Sequence, residues 1–193
     1  MVSYVIIPGI DGSDARHWQS LWEKRWGGSA VRVAPASWSR PELSDWVDAV
    51  QTAYESVARH DSEIVLVAHS LGCWTAAEWF DRQDRLGRVG RVRPAGVTAF
   101  LVAPPDTRSA SFPSHAAPSY VDVTARPLPC RSLLVASDDD PYCDPAASAA
   151  FAREWRAPSH FVENHGHINS ASGLGDWPAG QELLRTLVDE PTA

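Results

Sequence analysis

The stretch Ile64-Val65-Leu66-Val67-Ala68-His69-Ser70-Leu71-Gly72-Cys73-Trp74 decides the fold. It opens on an apolar, β-branched run, which reads as a buried strand of a parallel sheet. Trp74-Thr75-Ala76-Ala77-Glu78-Trp79-Phe80 follows, has no Gly or Pro, and predicts a helix. Between strand and helix the chain must reverse within a few residues around Ser70. Ala68 lies two positions before the serine and Gly72 two after. That is the spacing of a nucleophile elbow, G-x-S-x-G, with Ala in the first place. Small flanks are needed because strand and helix backbones pass close together there. Ala is the mildest departure from the pattern, although it strains where Gly would not if the position requires a positive φ.

Outward from this stretch, strands and helices alternate. Ser3–Ile7 reads as a first strand that runs into the glycine-containing loop Pro8-Gly9-Ile10-Asp11-Gly12-Ser13. Trp18, Leu21, Trp22 and Trp26 form one apolar stripe of a helix, read as core packing, which Gly27-Gly28 end. Val31–Ala34 is a second strand. Ser39 and Glu42 resemble a capping box ahead of a helix that carries Leu43, Trp46, Val47, Val50, Tyr54 and Val57. Val97–Val102, Ser132–Ala136 and Ser159–Val162 supply three further strands. Asp144-Pro145 opens a helix with Ala147, Ala150, Phe151 and Trp155. The last helix starts near Asp176-Trp177-Pro178 and runs through Leu183, Leu184, Leu187 and Val188. Alternation of this kind makes an α/β fold with a parallel sheet. Residues 103–129 form the one long irregular segment, with six prolines, and read as a short lid or a loop.

Composition limits the partners. The 193 residues fit one domain, and the net charge of −7 argues against nucleic acid or an anionic membrane. The Arg82, Arg85, Arg88, Arg91, Arg93 cluster reads as a solvated helix end balanced by Asp81 and Asp84. Three cysteines without regular spacing make no disulfide framework and no zinc ligand set, so a reduced, cytoplasmic setting and no metal or other cofactor are expected. The N-terminus reads as a strand rather than a signal peptide.

In a parallel sheet the strand carboxyl ends share one edge. Ser70 follows the third strand, Asp138-Asp139-Asp140 follow the fifth, and a histidine follows the sixth. The order Ser…Asp…His is that of α/β-hydrolases. A serine hydroxyl needs a base within hydrogen-bond reach, and the base needs a carboxylate to fix its tautomer. His167, after Gly166, is the preferred base, with His165 the alternative. Asp140, before Pro141, is preferred to Asp139, with Asp138 behind. His69 reads as elbow packing or a pocket wall, and His17, His60, His115 and His160 as surface or loop residues. The oxyanion donors are expected at the backbone N–H groups of Leu71 and Ile10.

These residues resemble a known group. Pro8-Gly9 with Ser13 and His17-Trp18-Gln19, then His69-Ser70-Leu71-Gly72, then Ser137-Asp138-Asp139-Asp140-Pro141-Tyr142, and Gly166-His167-Ile168-Asn169 with Ser172-Gly173-Leu174-Gly175-Asp176-Trp177-Pro178 are similar to the small serine hydrolases of the retinoblastoma-binding protein 9 family. The resemblance implies a minimal α/β-hydrolase without a large cap, its mostly parallel six-stranded sheet in the order 2-1-3-4-5-6. It also implies catalytic roles for Ser70, Asp140 and His167. The retinoblastoma-pocket signature L-x-C-x-E is missing: Leu71-Gly72-Cys73-Trp74-Thr75 ends in Thr, and no pocket-protein binding is expected.

The resulting expectation is a cofactor-free serine hydrolase that cleaves small carboxylic esters, or activated amides or thioesters, through an acyl-enzyme on Ser70. Trp38, Tyr142 and Phe112 are candidates for the pocket wall. The competing readings are a non-catalytic interaction module that keeps the fold, and a lyase or perhydrolase that uses the same three residues.

Overall fold

A computed structural model describes residues 2–58, 63–87 and 96–189 of the chain. Six parallel strands form one sheet, β1 (Val2–Ile7), β2 (Ala30–Arg32), β3 (Glu63–His69), β4 (Val97–Val102), β5 (Arg131–Ser137) and β6 (Ser159–Val162), in the spatial order β2-β1-β3-β4-β5-β6. Five α-helices connect them: α1 (Trp18–Trp26), α2 (Leu43–Val57), α3 (Leu71–Arg85), α4 (Pro145–Trp155) and α5 (Pro178–Asp189). This is a minimal α/β-hydrolase fold with every strand pair parallel.

Strand residues alternate between two cores, as the pleat requires. Val5, Ile7, Leu66, Ala68, Leu101 and Leu134 face α2, α3 and α4, where they meet Trp46, Trp74, Trp79 and Trp155. Ile6, Val65, Val67, Phe100, Val102 and Val135 face α1 and α5, where they meet Trp18, Trp22, Leu184 and Leu187. The two central strands β3 and β4 are buried on both faces, which explains their unbroken apolar runs. The tryptophan stripe of α1 is core packing, and Trp22 also stacks on Trp177, ring centroids 5.8 Å apart.

One local expectation is corrected. Helix α2 begins at Leu43 with Glu42 as its N-cap and no side-chain capping bond, so Ser39 and Glu42 form no capping box. The Leu43 N–H is instead received by Ser119 Oγ at 3.0 Å, from a distant part of the chain. Of the arginine cluster, Arg82 pairs with Asp48 and Arg85 with Asp81. Arg88, Arg91, Arg93 and His60 lie outside the described residues.

Segment 103–129 packs across the carboxyl edge as an irregular strap with a single 3-10 turn, Pro118–Tyr120. The Tyr120 hydroxyl and Thr75 Oγ1 are hydrogen-bonded at 2.8 Å, and Trp74 Nε1 donates to the Pro105 carbonyl at 2.8 Å. The strap's own Phe112, Ala117 and Val123 are buried in the core on the α2–α3–α4 side. Among the described residues no helix is long and apolar enough to cross a membrane.

Helix α3 lies so close to β1 that Gly72 has no room for a side chain. A Cβ there would sit 2.1 Å from the Ile7 carbonyl oxygen and 2.8 Å from that of Pro8. Gly72→Ala should therefore push α3 off the sheet and cost roughly 1–3 kcal/mol or more, read as a lower urea midpoint. A wild-type midpoint in that variant would mean the two backbones are not in contact.

Candidate active site

Ser70 sits at the junction of β3 and α3 with φ +55° and ψ −126°. Positive φ in a residue with a side chain is strained, and here it turns the hydroxyl away from the sheet. Ala68 is not among the positive-φ residues, so Ala in the first small position of the motif carries no strain; the strain falls on the serine itself. Gly9, in the loop after β1, passes beside it, since a Cβ on Gly9 would lie 3.0 Å from Ser70 Oγ.

The loop after β6 brings the histidine. His167 Nε2 lies 2.8 Å from Ser70 Oγ, and its Nδ1 lies 2.8 Å from Asp140 Oδ2 and 3.0 Å from Oδ1. With Asp140 as acceptor, Nδ1 carries the ring proton and Nε2 presents a lone pair to the serine hydroxyl. Asp140 is 8% exposed and His167 9% exposed, so the pair is shielded but not sealed. Asp140 Oδ1 also accepts the Tyr142 N–H at 2.9 Å, which holds the carboxylate edge-on to the ring.

The other two aspartates grip the histidine loop by its backbone. Asp138 Oδ1 accepts from Asn164 N at 2.8 Å, Ser137 Oγ from His165 N at 3.0 Å, and Asp139 Oδ1 from Gly166 N at 2.7 Å. The Ser137 hydroxyl in turn donates to Asp139 at 2.7 Å. The Ser137 hydroxyl and the Gly166 amide hold the Asp139 carboxyl below its ordinary range. On the carbonyl side, Ser172 donates to His165 O, His69 Nε2 to His167 O at 2.9 Å, and Trp18 Nε1 to Ile168 O at 2.8 Å. Asn164, Gly166 and Ile168 all have positive φ, a tight path that these bonds maintain. His165, the alternative base, turns away and meets the Glu163 carbonyl.

Above Ser70 lies a cavity of about 830 Å³, lined by Ile10, Leu71, Phe112, Tyr142 and His167 among others. Ile10 and Leu71, whose N–H groups are the expected oxyanion donors, both line this cavity with Ser70. Tyr142 lies edge-on to His167, ring centroids 4.7 Å apart. Trp38 does not line the cavity. It packs edge-on against Trp46, and its carbonyl accepts the Asp11 N–H at 2.9 Å, so it backs the loop that forms the cavity floor. No group of His, Cys, Asp or Glu suited to a metal ion occurs among the described residues.

Sequence reading missed the burial of His17. The expectation of a surface or loop residue holds only for the loop: His17 precedes α1 and caps it by accepting the Gln19 N–H on Nδ1 at 3.2 Å, but it is 4% exposed and lines the cavity. Its position just ahead of the tryptophan stripe was the available signal. Its Nε2 has no partner among the described residues. Gln19 was also passed over; its side chain reaches the Val67 carbonyl at 2.9 Å and ties α1 to the end of β3. His115 and His160 are exposed as expected.

The fold is that of an α/β-hydrolase. The chain belongs to the serine hydrolase family, which it matches over residues 4–186. It is similar to a YdeN-like hydrolase of Pectobacterium atrosepticum, at 27% identity over 97% of this chain and 93% of that one, with a TM-score of 0.76. The ydeN gene product of B. subtilis shares the fold at 20% identity, 98% and 99% coverage and a TM-score of 0.67. Est1E of Butyrivibrio proteoclasticus, solved with ferulic acid bound, shares it at 11% identity, 98% and 90% coverage and a TM-score of 0.67. No curated protein matches the chain.

Burial lowers the pKa of His17 from 6.5 to about 4, and burial with the neighbouring His17 and His167 rings lowers that of His69 well below 6.5. The unfolded chain therefore takes up these protons more readily than the folded one. Their contribution to stability is complete above about pH 6.5 and is lost as the pH falls toward the folded values, by about 3 kcal/mol from His17 alone. Urea midpoints measured from neutral pH down to about pH 4.5 should fall. His17→Asn, which keeps a capping oxygen, should flatten that fall; an equal fall in both proteins would contradict the neutral, buried His17.

Proposed function

We propose that the protein is a carboxylesterase-like hydrolase that cleaves small carboxylic esters through an acyl-enzyme on Ser70. The finer family assignment proposed is the branch typified by retinoblastoma-binding protein 9, with the whole chain acting as one catalytic domain. One observation carries the reading: a strained, outward-turned serine hydroxyl at 2.8 Å from an imidazole that is itself 2.8 Å from a buried carboxylate.

In this reading Ser70 Oγ attacks the ester carbonyl carbon while His167 Nε2 takes its proton. The negative charge that develops on the carbonyl oxygen is met by the N–H groups of Leu71 and Ile10. Gly9 permits that approach because a side chain there would collide with Ser70. Collapse of the tetrahedral species breaks the C–O bond, and His167 passes its proton to the departing alkoxide. Water then enters, gives a proton to His167, and attacks the acyl carbon; Ser70 recovers its proton from His167 as the acid leaves. Asp140 holds the ring in one tautomer and stabilises the imidazolium. The cavity is open above the serine and walled by Phe112 and Tyr142, which suits a small acyl group. Activated amides and thioesters pass through the same intermediate and are compatible with the same machinery. No cofactor takes part in these steps.

The test is labelling by a fluorophosphonate probe together with hydrolysis of p-nitrophenyl acetate. Wild type should label and turn over, and Ser70→Ala and His167→Ala should lose turnover by about a million-fold. Asp140→Asn should cost about 10⁴-fold. Asp139→Asn, which keeps an oxygen for Gly166 N–H, should lose far less and thereby separate the two acids. A folded wild type that neither labels nor hydrolyses would mean a non-catalytic module; labelling without acid product would mean a lyase.

A further inference from the structure

The residue before the nucleophile has a bond that the acyl-enzyme scheme does not use. His69 is 4% exposed, and its Nε2 donates to the backbone carbonyl of His167 at 2.9 Å. A carbonyl oxygen can only accept, so the His69 proton is on Nε2 and the ring is a fixed donor. Its ring lies between those of His17 and His167, with centroids 4.7 Å and 5.0 Å away. Trp18 closes the remaining side at 6.1 Å. No carboxylate or cation appears among these contacts, and the ring stays neutral.

This bond closes a circuit. From Ser70 Oγ the path runs to His167 Nε2, through that residue to its carbonyl, across to His69 Nε2, and back along one peptide to Ser70. The base is therefore tied to the nucleophile twice, once through the reacting hydrogen bond and once through a rigid imidazole spacer. Asp140 sets only the rotation of the His167 ring; it does not set the distance of the His167 backbone from the elbow. The anchors on Asn164, His165, Gly166 and Ile168 fix the loop to β5 and α1, not to the serine.

We infer that His69 is a positioning residue that sets the Ser70–His167 separation through the His167 carbonyl. It lines the cavity beside Ser70, and in this role it acts on the reaction through the His167 carbonyl. The inference rests on Ser70 and His167 being the reacting pair, and displacement of such a pair by about 1 Å costs up to about a hundredfold in rate.

His69→Phe keeps a buried aromatic ring and removes the donor; His69→Gln restores an N–H of similar reach. Against wild type and Ser70→Ala, His69→Phe should lose about ten- to a hundredfold in kcat, with KM within about twofold. Its fluorophosphonate inactivation rate should fall in step, and His69→Gln should recover most of both. A packing role predicts the reverse ranking, with Phe at least as good as Gln. A His69→Phe enzyme within about twofold of wild-type kcat, while Ser70→Ala is dead, would overturn the role of His69 and leave the serine mechanism standing. A wild type that does not label would overturn both. If neither variant folds, two-bond ¹⁵N–¹H spectra of wild type decide. A neutral His69 that keeps its Nε2 proton from about pH 8 to about pH 5 supports the inference, and an Nδ1–H tautomer or an ordinary titration near 6.5 overturns it.

Discussion

The close passage of helix α3 over strand β1 at Gly72 is the constraint on which the carboxyl edge depends. With a hydrogen in place of a side chain, the first turn of α3 rests against the carbonyl groups of Ile7 and Pro8. That contact fixes where the helix starts relative to the sheet. The chain can reach it from β3 only through a residue with positive φ, which is Ser70. The exposed hydroxyl is thus a by-product of packing two backbones together. The same contact leaves the β1 loop beside the serine, where its amides can face a developing charge.

Much of this was legible in the chain. Val97–Val102 and Ser159–Val162 match the observed strands residue for residue, the first because it is an unbroken apolar and β-branched run. Ser70, Asp140 and His167 were readable because parallel strands deliver their following residues to one edge, and few residues there can do acid–base work. The misses share a cause. Ser119 capping α2, Gln19 reaching Val67, and His17 buried behind the elbow are all contacts between segments far apart in sequence. Local pattern carries no trace of the first two, and for His17 only its place just ahead of the tryptophan stripe. The proposed capping box failed for the converse reason: a valid local pattern was displaced by a tertiary donor–acceptor pair.

The run Asp138-Asp139-Asp140 illustrates how one turn divides identical side chains among different tasks. Asp140 is buried and points at the His167 ring, whereas Asp138 and Asp139 are exposed and take backbone N–H groups. Burial, not chemistry, separates them. The histidines divide along the same line. His17 and His69 are kept neutral by burial, and among the described residues the imidazole bonded to both Ser70 and a carboxylate is that of His167. An extra cation next to it would oppose the imidazolium of the proposed mechanism.

Besides the buried Ile168 side chain and the bonded His167 ring, the histidine loop is held by its main chain. Its N–H groups go to Asp138, Ser137 and Asp139, and its carbonyls take bonds from Ser172, His69 and Trp18. Main-chain groups are the same whatever residue bears them. The side chains of Glu163 and His165 are therefore free to drift over evolutionary time, and the geometry of the base is written in residues on β3 and α1, at the end of β5 and in the turn at Ser172 instead. Relatives could share little of this loop's sequence and still place the imidazole identically, provided those distant anchors persist.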